Sequence, residues 1–300
     1  MGRGMIRVLS AALLALLPHP LAAQRLAPPP VVVTPRTILF VGNSFTQGAH
    51  SAARNWHADR VTDLTGQDYG GVPALFKAFT EQAGLRYSVS LETQGGKSLA
   101  WHYDERRRLI DRPWDTVVLQ EYSTLDADRP GDPGRYIAAA TRLAELFRAR
   151  NPGVRIELTA TWSRADQTYR PGGRWYGRGI AAMADDLRVA TDRARRAAQA
   201  NGVIAVGQAW TRAMAQAVAD PDPYDGTTFG QVNLWTYDQY HASVAGYYLE
   251  ALMVFGKVTG VDPRTLGPGE RAADELGLAP DLAASLQRIA AEQLAADRAR

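Results

Sequence analysis

Thr37-Ile-Leu-Phe-Val-Gly-Asn-Ser-Phe-Thr46 decides how this 300-residue chain is read. A short apolar run stops abruptly at Gly42-Asn43-Ser44. Such a run, bounded by turn residues, predicts a buried strand, and the serine falls at its carboxyl end. Open α/β sheets bind ligands at that edge. Ser44 is therefore a candidate nucleophile, with its own backbone N–H able to face a substrate. The competing reading is a turn or helix N-cap, for which Asn and Ser are common choices. The stretch is not a Gly-x-Ser-x-Gly elbow, because Thr46 stands where the second glycine belongs.

Outward from this strand, apolar runs and helical patterns alternate. Thr37–Val41, Tyr87–Glu92, Thr116–Gln120, Arg155–Ala160 and Val203–Val206 are the strand candidates. Val72–Ala83, Gly134–Arg150 and Gly179–Ala200 are helix candidates, and Arg150-Asn-Pro-Gly153 is a helix stop. Alternation of this kind predicts an α/β protein, a three-layer α/β/α sandwich on a mostly parallel five-stranded sheet. Two polar, aromatic stretches, Thr161–Arg178 and Pro221–Tyr240, read as long loops. The second leads into an apolar helix over His241–Thr259. An Ala-rich helix near Leu282–Ala299 is expected at the periphery, after a turn near residue 262.

The N-terminus carries a different signal. Arg3 and Arg7 precede ten largely apolar residues, Val8–Leu17, and Ala22-Ala23 follow. This predicts a signal peptide over residues 1–23, with a periplasmic or secreted destination. An uncleaved anchor is the alternative, but the run is too short to span a bilayer. Residues 24–35, with Pro28-Pro-Pro30 and Pro35, read as an extended linker. One domain is expected over residues 36–300, ending in a helical extension from about 265. Loss of the two arginines would lower the formal charge from +3 to +1. The remaining basic residues are interspersed with acids, so no nucleic-acid footprint is expected. The chain has no cysteine, so the core must carry stability without disulfides. No stable membrane insertion is expected after cleavage, and the oligomeric state stays open.

A serine nucleophile usually needs a histidine as general base. Beyond residue 23 the histidines are His50, His57, His102 and His241. His50 and His57 follow Ser44 too closely to return easily over its hydroxyl. His241 has Asp238 three residues upstream, a spacing that lets a carboxylate orient the ring on one turn. The alternative makes Asp238 a helix cap and His241 an ordinary first-turn residue.

These blocks together resemble the SGNH hydrolase superfamily, the GDSL-like esterases and lipases. Gly42-Asn43-Ser44-Phe45 is similar to its first block, with Asn43 where the family often has Asp. Gly95-Gly96-Lys97-Ser98 resembles the second, and Asp238-Gln-Tyr-His241 the last. The resemblance implies an SGNH/flavodoxin-like fold and a serine esterase with Ser44 as nucleophile, His241 as base and Asp238 as its orienting acid. It also implies an oxyanion hole from the N–H groups of Ser44 and Gly96, with Gly95 as the alternative glycine. The third block departs from the family's Gly-x-Asn-Asp, because the strand here ends Leu119-Gln120-Glu121-Tyr122-Ser123. Gln120 has the same amide chemistry with one more methylene and is the expected third oxyanion donor.

Trp162, Arg164 and Asp166 follow the fourth strand and are candidate substrate-binding residues, because aromatic faces stack on sugars and Arg grips carboxylates. The competing reading is a surface loop pinned by its own aromatics. No cofactor is expected. No metal is expected either, since the histidines lack a ligand-like spacing. The substrate class is a small-molecule or glycan ester, with O-acetyl groups on carbohydrate as the leading case. Rival functions are an acyltransferase of the same fold and a non-catalytic glycan-binding protein.

Overall fold

A computed structural model describes Met1, Gly2 and residues Thr34–Ala299. The expected signal peptide and most of the Pro-rich segment lie outside the described residues. Among the described residues six strands form one parallel sheet: β1 (Arg36–Gly42), β2 (Thr62–Asp63), β3 (Tyr87–Thr93), β4 (Thr116–Gln120), β5 (Arg155–Ala160) and β6 (Gly202–Ala205). Their order is β2-β3-β1-β4-β5-β6. The five expected strands are present, and the sixth is the two-residue β2 at the edge. A strand that short shows no periodicity.

Chain order reverses at β1, which has β3 on one side and β4 on the other. This is the switch point, where a crevice opens at the carboxyl ends of the strands. Alternate β1 residues enter opposite cores: Ile38 and Phe40 on one face, Leu39 and Val41 on the other. Burial on both faces explains why the run is continuously apolar. Helices α1 (Gly71–Gln82), α6 (Val206–Ala215), α7 (Val244–Thr259), α8 (Arg271–Glu275) and α9 (Pro280–Arg298) supply residues to the first core. Helices α2 (Leu99–Ile110), α3 (Gly134–Arg150) and α5 (Ala181–Ala197) supply the second.

Four expectations are corrected. Helix α2 was not anticipated, because its buried positions are only Leu99, His102 and Ile110 among many charges. The expected strand Val203–Val206 gives way directly to α6, whose buried Val206, Ala209, Trp210 and Ala213 make a helical stripe. The loop Thr161–Arg178 contains a short helix, α4 (Ala165–Thr168), and its Trp175 is buried with Nε1 donating to Asp186. Helix α9 is not peripheral: Leu286, Ile289, Ala290 and Leu294 enter the first core, and the helix packs on α7 and α6. No helix among the described residues is long and apolar enough to cross a membrane.

Candidate active site

Ser44 sits in a tight turn immediately after β1. Thr46 N–H and Gln47 N–H both donate to Asn43 O, and Phe45 N–H donates to Asn43 Oδ1. Asn43 thus caps the turn with its backbone and its side chain. Gly42 is required by close approach. A Cβ there would lie 2.4 Å from Thr46 Oγ1 and 2.7 Å from Gln120 Oε1. Asn43 Nδ2 donates to Lys97 O at 3.0 Å and to Glu121 O at 3.4 Å. One side chain therefore ties together the three loops that follow β1, β3 and β4.

The Asp238–His241 segment precedes α7 rather than opening it. Ser243 caps α7 by accepting from Gly246 N–H, so the helix begins at Val244. Asp238 Oδ1 accepts from Tyr240 N–H at 3.0 Å and from His241 N–H at 2.9 Å, with Gln239 at φ 51°. This turn leaves Asp238 Oδ2 for His241 Nδ1, 2.6 Å away. His241 Nε2 lies 2.9 Å from Ser44 Oγ. Carboxylate oxygens only accept, so Nδ1 carries the ring proton and Nε2 is left to accept from the Ser44 hydroxyl.

Electrostatics favour the same assignment. Burial lowers His241 below the usual histidine value; Asp238 opposes this, while His50 and Arg164 add to it. Burial alone would raise the Asp238 carboxyl, but hydrogen bonds from the His241 ring and from the His241 and Tyr240 amides bring it below the usual range. The ground state thus pairs a neutral imidazole with an ionised carboxylate. Such a chain can draw a proton from a serine hydroxyl and stabilise the imidazolium that results.

The N–H groups of Ser44 and Gly96 make no hydrogen bond among the described residues. Gly96 is exposed at φ +70°, with nothing within 4 Å of where a Cβ would stand. Gln120 lies elsewhere than expected. It is 1% exposed; its Oε1 accepts from Asn43 N–H at 2.9 Å and Thr46 Oγ1 at 3.1 Å, and its Nε2 donates to Glu121 O. Its amide is turned into the fold as part of the clamp under the Ser44 turn. Trp162 is not a surface group either. It is 0% exposed and stacks between Phe45 at 4.3 Å and Trp210 at 4.7 Å. Arg164 does border the site, with its guanidinium 3.7 Å above the Tyr240 ring and Nη1 donating to Ser123 Oγ at 3.1 Å. Its Nε and Nη2 are taken by Asp166 at 3.0 and 2.7 Å, so the bidentate fork faces its own partner rather than a ligand.

Sequence reasoning missed several residues here. The turn after Ser44 coils back and sets the His50 ring 4.5 Å from His241, with His50 Nδ1 2.6 Å from the Tyr237 hydroxyl. Linear proximity to Ser44 argued against His50, yet it meets His241 rather than the serine. The Tyr240 ring lies against His241, with centroids 3.9 Å apart and planes tilted by 40°. Glu121 is fully enclosed, and burial pushes its carboxyl up to about 7 against hydrogen bonds from Tyr122 and Leu99 N–H. It thereby holds the start of α2 beside the Gly96 loop. Its place next to Gln120, where the third block departs, was the available signal. A cavity of about 210 Å³ opens beside Gly96, lined by Lys97, Trp101, Tyr122, Leu125 and Asp126. His102 is remote in character, buried against Glu92 at 2.5 Å.

No family model and no curated protein matches the chain by sequence. Solved structures do match it. A DUF4886 family protein from Bacteroides uniformis is similar over 87% of this chain and 95% of its own, at 18% identity and TM-score 0.58. A GDSL-like lipase candidate from Parabacteroides merdae is similar over 75% of this chain and 95% of its own, at 19% identity and TM-score 0.53. The chain has the fold of the SGNH, or GDSL-like, hydrolases.

Proposed function

We propose that this protein is a secreted serine esterase acting on small acyl esters, with O-acetylated carbohydrate as its substrate class. The observation that carries the reading is the chain of short contacts from Asp238 through His241 to Ser44 Oγ, 2.6 and 2.9 Å. It stands at the switch point of a hydrolase fold, and the N–H groups of Ser44 and Gly96 have no hydrogen-bond partner among the described residues. The cavity beside Gly96 supports a carbohydrate alcohol part, because Trp101 and Tyr122 give it aromatic walls on which a sugar face can pack.

In this mechanism His241 Nε2 takes the proton of Ser44 Oγ as the oxygen attacks the ester carbonyl. The resulting oxyanion accepts from the N–H groups of Ser44 and Gly96. Collapse expels the alcohol, which receives the proton from His241. Water, deprotonated by the same ring, then attacks the acyl-serine and releases the acid. Asp238 keeps the imidazole in one tautomer and offsets its transient charge. The test is p-nitrophenyl acetate hydrolysis by the purified protein beside Ser44→Ala, with fold checked by circular dichroism. Turnover that vanishes with Ser44→Ala supports the reading. Equal turnover in both proteins removes Ser44 from the chemistry.

A further inference from the structure

We propose that the Tyr240 hydroxyl is the third donor to the oxyanion, in the place that Gln120 leaves open, and that Ser123 and Arg164 hold it there. The proposal deepens the esterase reading above and rests on it.

Position comes first. Ser44 follows β1, which lies between β3 and β4. Gly96 follows β3, so its N–H approaches the nucleophile from that side. The third block sits at the end of β4, on the other side, and there Gln120 is turned into the clamp. The Tyr240 ring lies against His241, and its centroid is 5.5 Å from that of Phe45, the residue after Ser44. Asp238 Oδ1 accepts from Tyr240 N–H, so the turn that presents the base presents this phenol as well.

Burial raises the Tyr240 pKa, while the Arg164 guanidinium and hydrogen bonding with the Ser44 and Ser123 side chains lower it. The hydroxyl therefore faces the nucleophile and the loop after β4 together, and it keeps its proton at neutral pH. Arginine only donates, so Ser123 Oγ, 3.1 Å from Arg164 Nη1, accepts there and has its own proton left for the Tyr240 oxygen. Asp166 fixes the guanidinium through Nε and Nη2. Each hydroxyl thus accepts from the group behind it, which leaves the phenol proton for the Ser44 side. Hydrogen bonds in such a chain polarise one another. As Ser44 Oγ attacks, negative charge gathers on the carbonyl oxygen, which is bonded to the same carbon, and the phenol donates to it. No proton leaves Tyr240 in this step.

Tyr240→Phe removes the donor and keeps the ring against His241 and Arg164. Its kcat/KM for p-nitrophenyl acetate should fall roughly 10²-fold. A trifluoromethyl ketone reports on the oxyanion itself: Ser44 Oγ adds to the carbonyl carbon, His241 takes the serine proton, and a stable oxyanion is left. The affinity for this inhibitor should fall by a similar factor in Tyr240→Phe. Ser123→Ala leaves the phenol in place without its support and should lower both quantities by a smaller factor. Unchanged kcat/KM in Tyr240→Phe, or a lowered rate with unchanged ketone affinity, overturns the proposal; where turnover still depends on Ser44, the esterase reading stands. Should Tyr240→Phe fold poorly by circular dichroism, Ser123→Ala decides, and an unchanged rate and ketone affinity there overturn the proposal as well. Equal turnover in Ser44→Ala and the unmodified protein overturns both readings.

Discussion

Gln120→Ala separates two roles for one side chain. As an oxyanion donor, Gln120 would contribute to rate and little to folding, and its loss would cost roughly 10²–10³ in turnover. The structure instead has its Oε1 accepting from Asn43 N–H and Thr46 Oγ1 inside a closed clamp. Truncation leaves the Asn43 N–H buried and unpaired, while the Thr46 hydroxyl can rotate to another acceptor. One orphaned donor costs about 1–3 kcal/mol. At about 2–4 °C per kcal/mol for a domain of this size, the midpoint should fall by roughly 2–12 °C. Turnover should fall as well, because the Ser44 turn loses its anchor and an ångström of misplacement costs on the order of 10²-fold. Thermal unfolding followed by circular dichroism, beside steady-state hydrolysis, measures both effects. A variant with unchanged midpoint and crippled turnover would refute the clamp and return Gln120 to the oxyanion.

Three further outcomes follow from the same geometry. The rate should rise with pH as His241 loses its proton, with the half-point of kcat/KM below the ordinary histidine value of 6.5, because burial lowers the ring; a half-point above 6.5 contradicts this environment. Glu250 is fully enclosed on α7, Oε2 has no hydrogen-bond partner, and burial raises the carboxyl well above 4.5. The native state therefore keeps a proton that the unfolded chain releases, so the contribution of Glu250 to stability is fully present below pH 4.5 and is lost as pH rises through the folded value. Glu250→Gln should remove that decline, seen as a gain in urea midpoint over the unmodified protein at pH 8 that is missing at pH 4.5; parallel pH curves would show Glu250 ionised in the native state. Trp162→Ala should lower stability by about 3–5 kcal/mol through the cavity left between Phe45 and Trp210, and a near-neutral result would mean that Trp162 is not core.

The sequence by itself determined the elements whose signal is local. The apolar run into Gly42-Asn43-Ser44 names a buried strand and its turn, because a strand covered on both faces must be apolar throughout. Gly134–Arg150 is helical over the same residues in sequence and structure. The Asp238-x-x-His241 spacing is itself a local device, since Asp238 binds the amides as well as the ring of the residues that follow it. It works as a turn before α7, though, and not as a turn of helix.

The tertiary structure alone decided which polar groups are free. Gln120 and Trp162 have suitable chemistry on the page of the sequence, but burial commits one to the Asn43 clamp and the other to an aromatic stack. Arg164 reaches the site yet spends its fork on Asp166. His50, dismissed for lying close to Ser44 in the chain, is carried by the coil of the Ser44 turn to the flank of His241. The physical reason is common to all four. Residue type fixes which hydrogen bonds and contacts a side chain can make, whereas the partners that claim them come from strands and loops distant in sequence, and only folding brings those within reach.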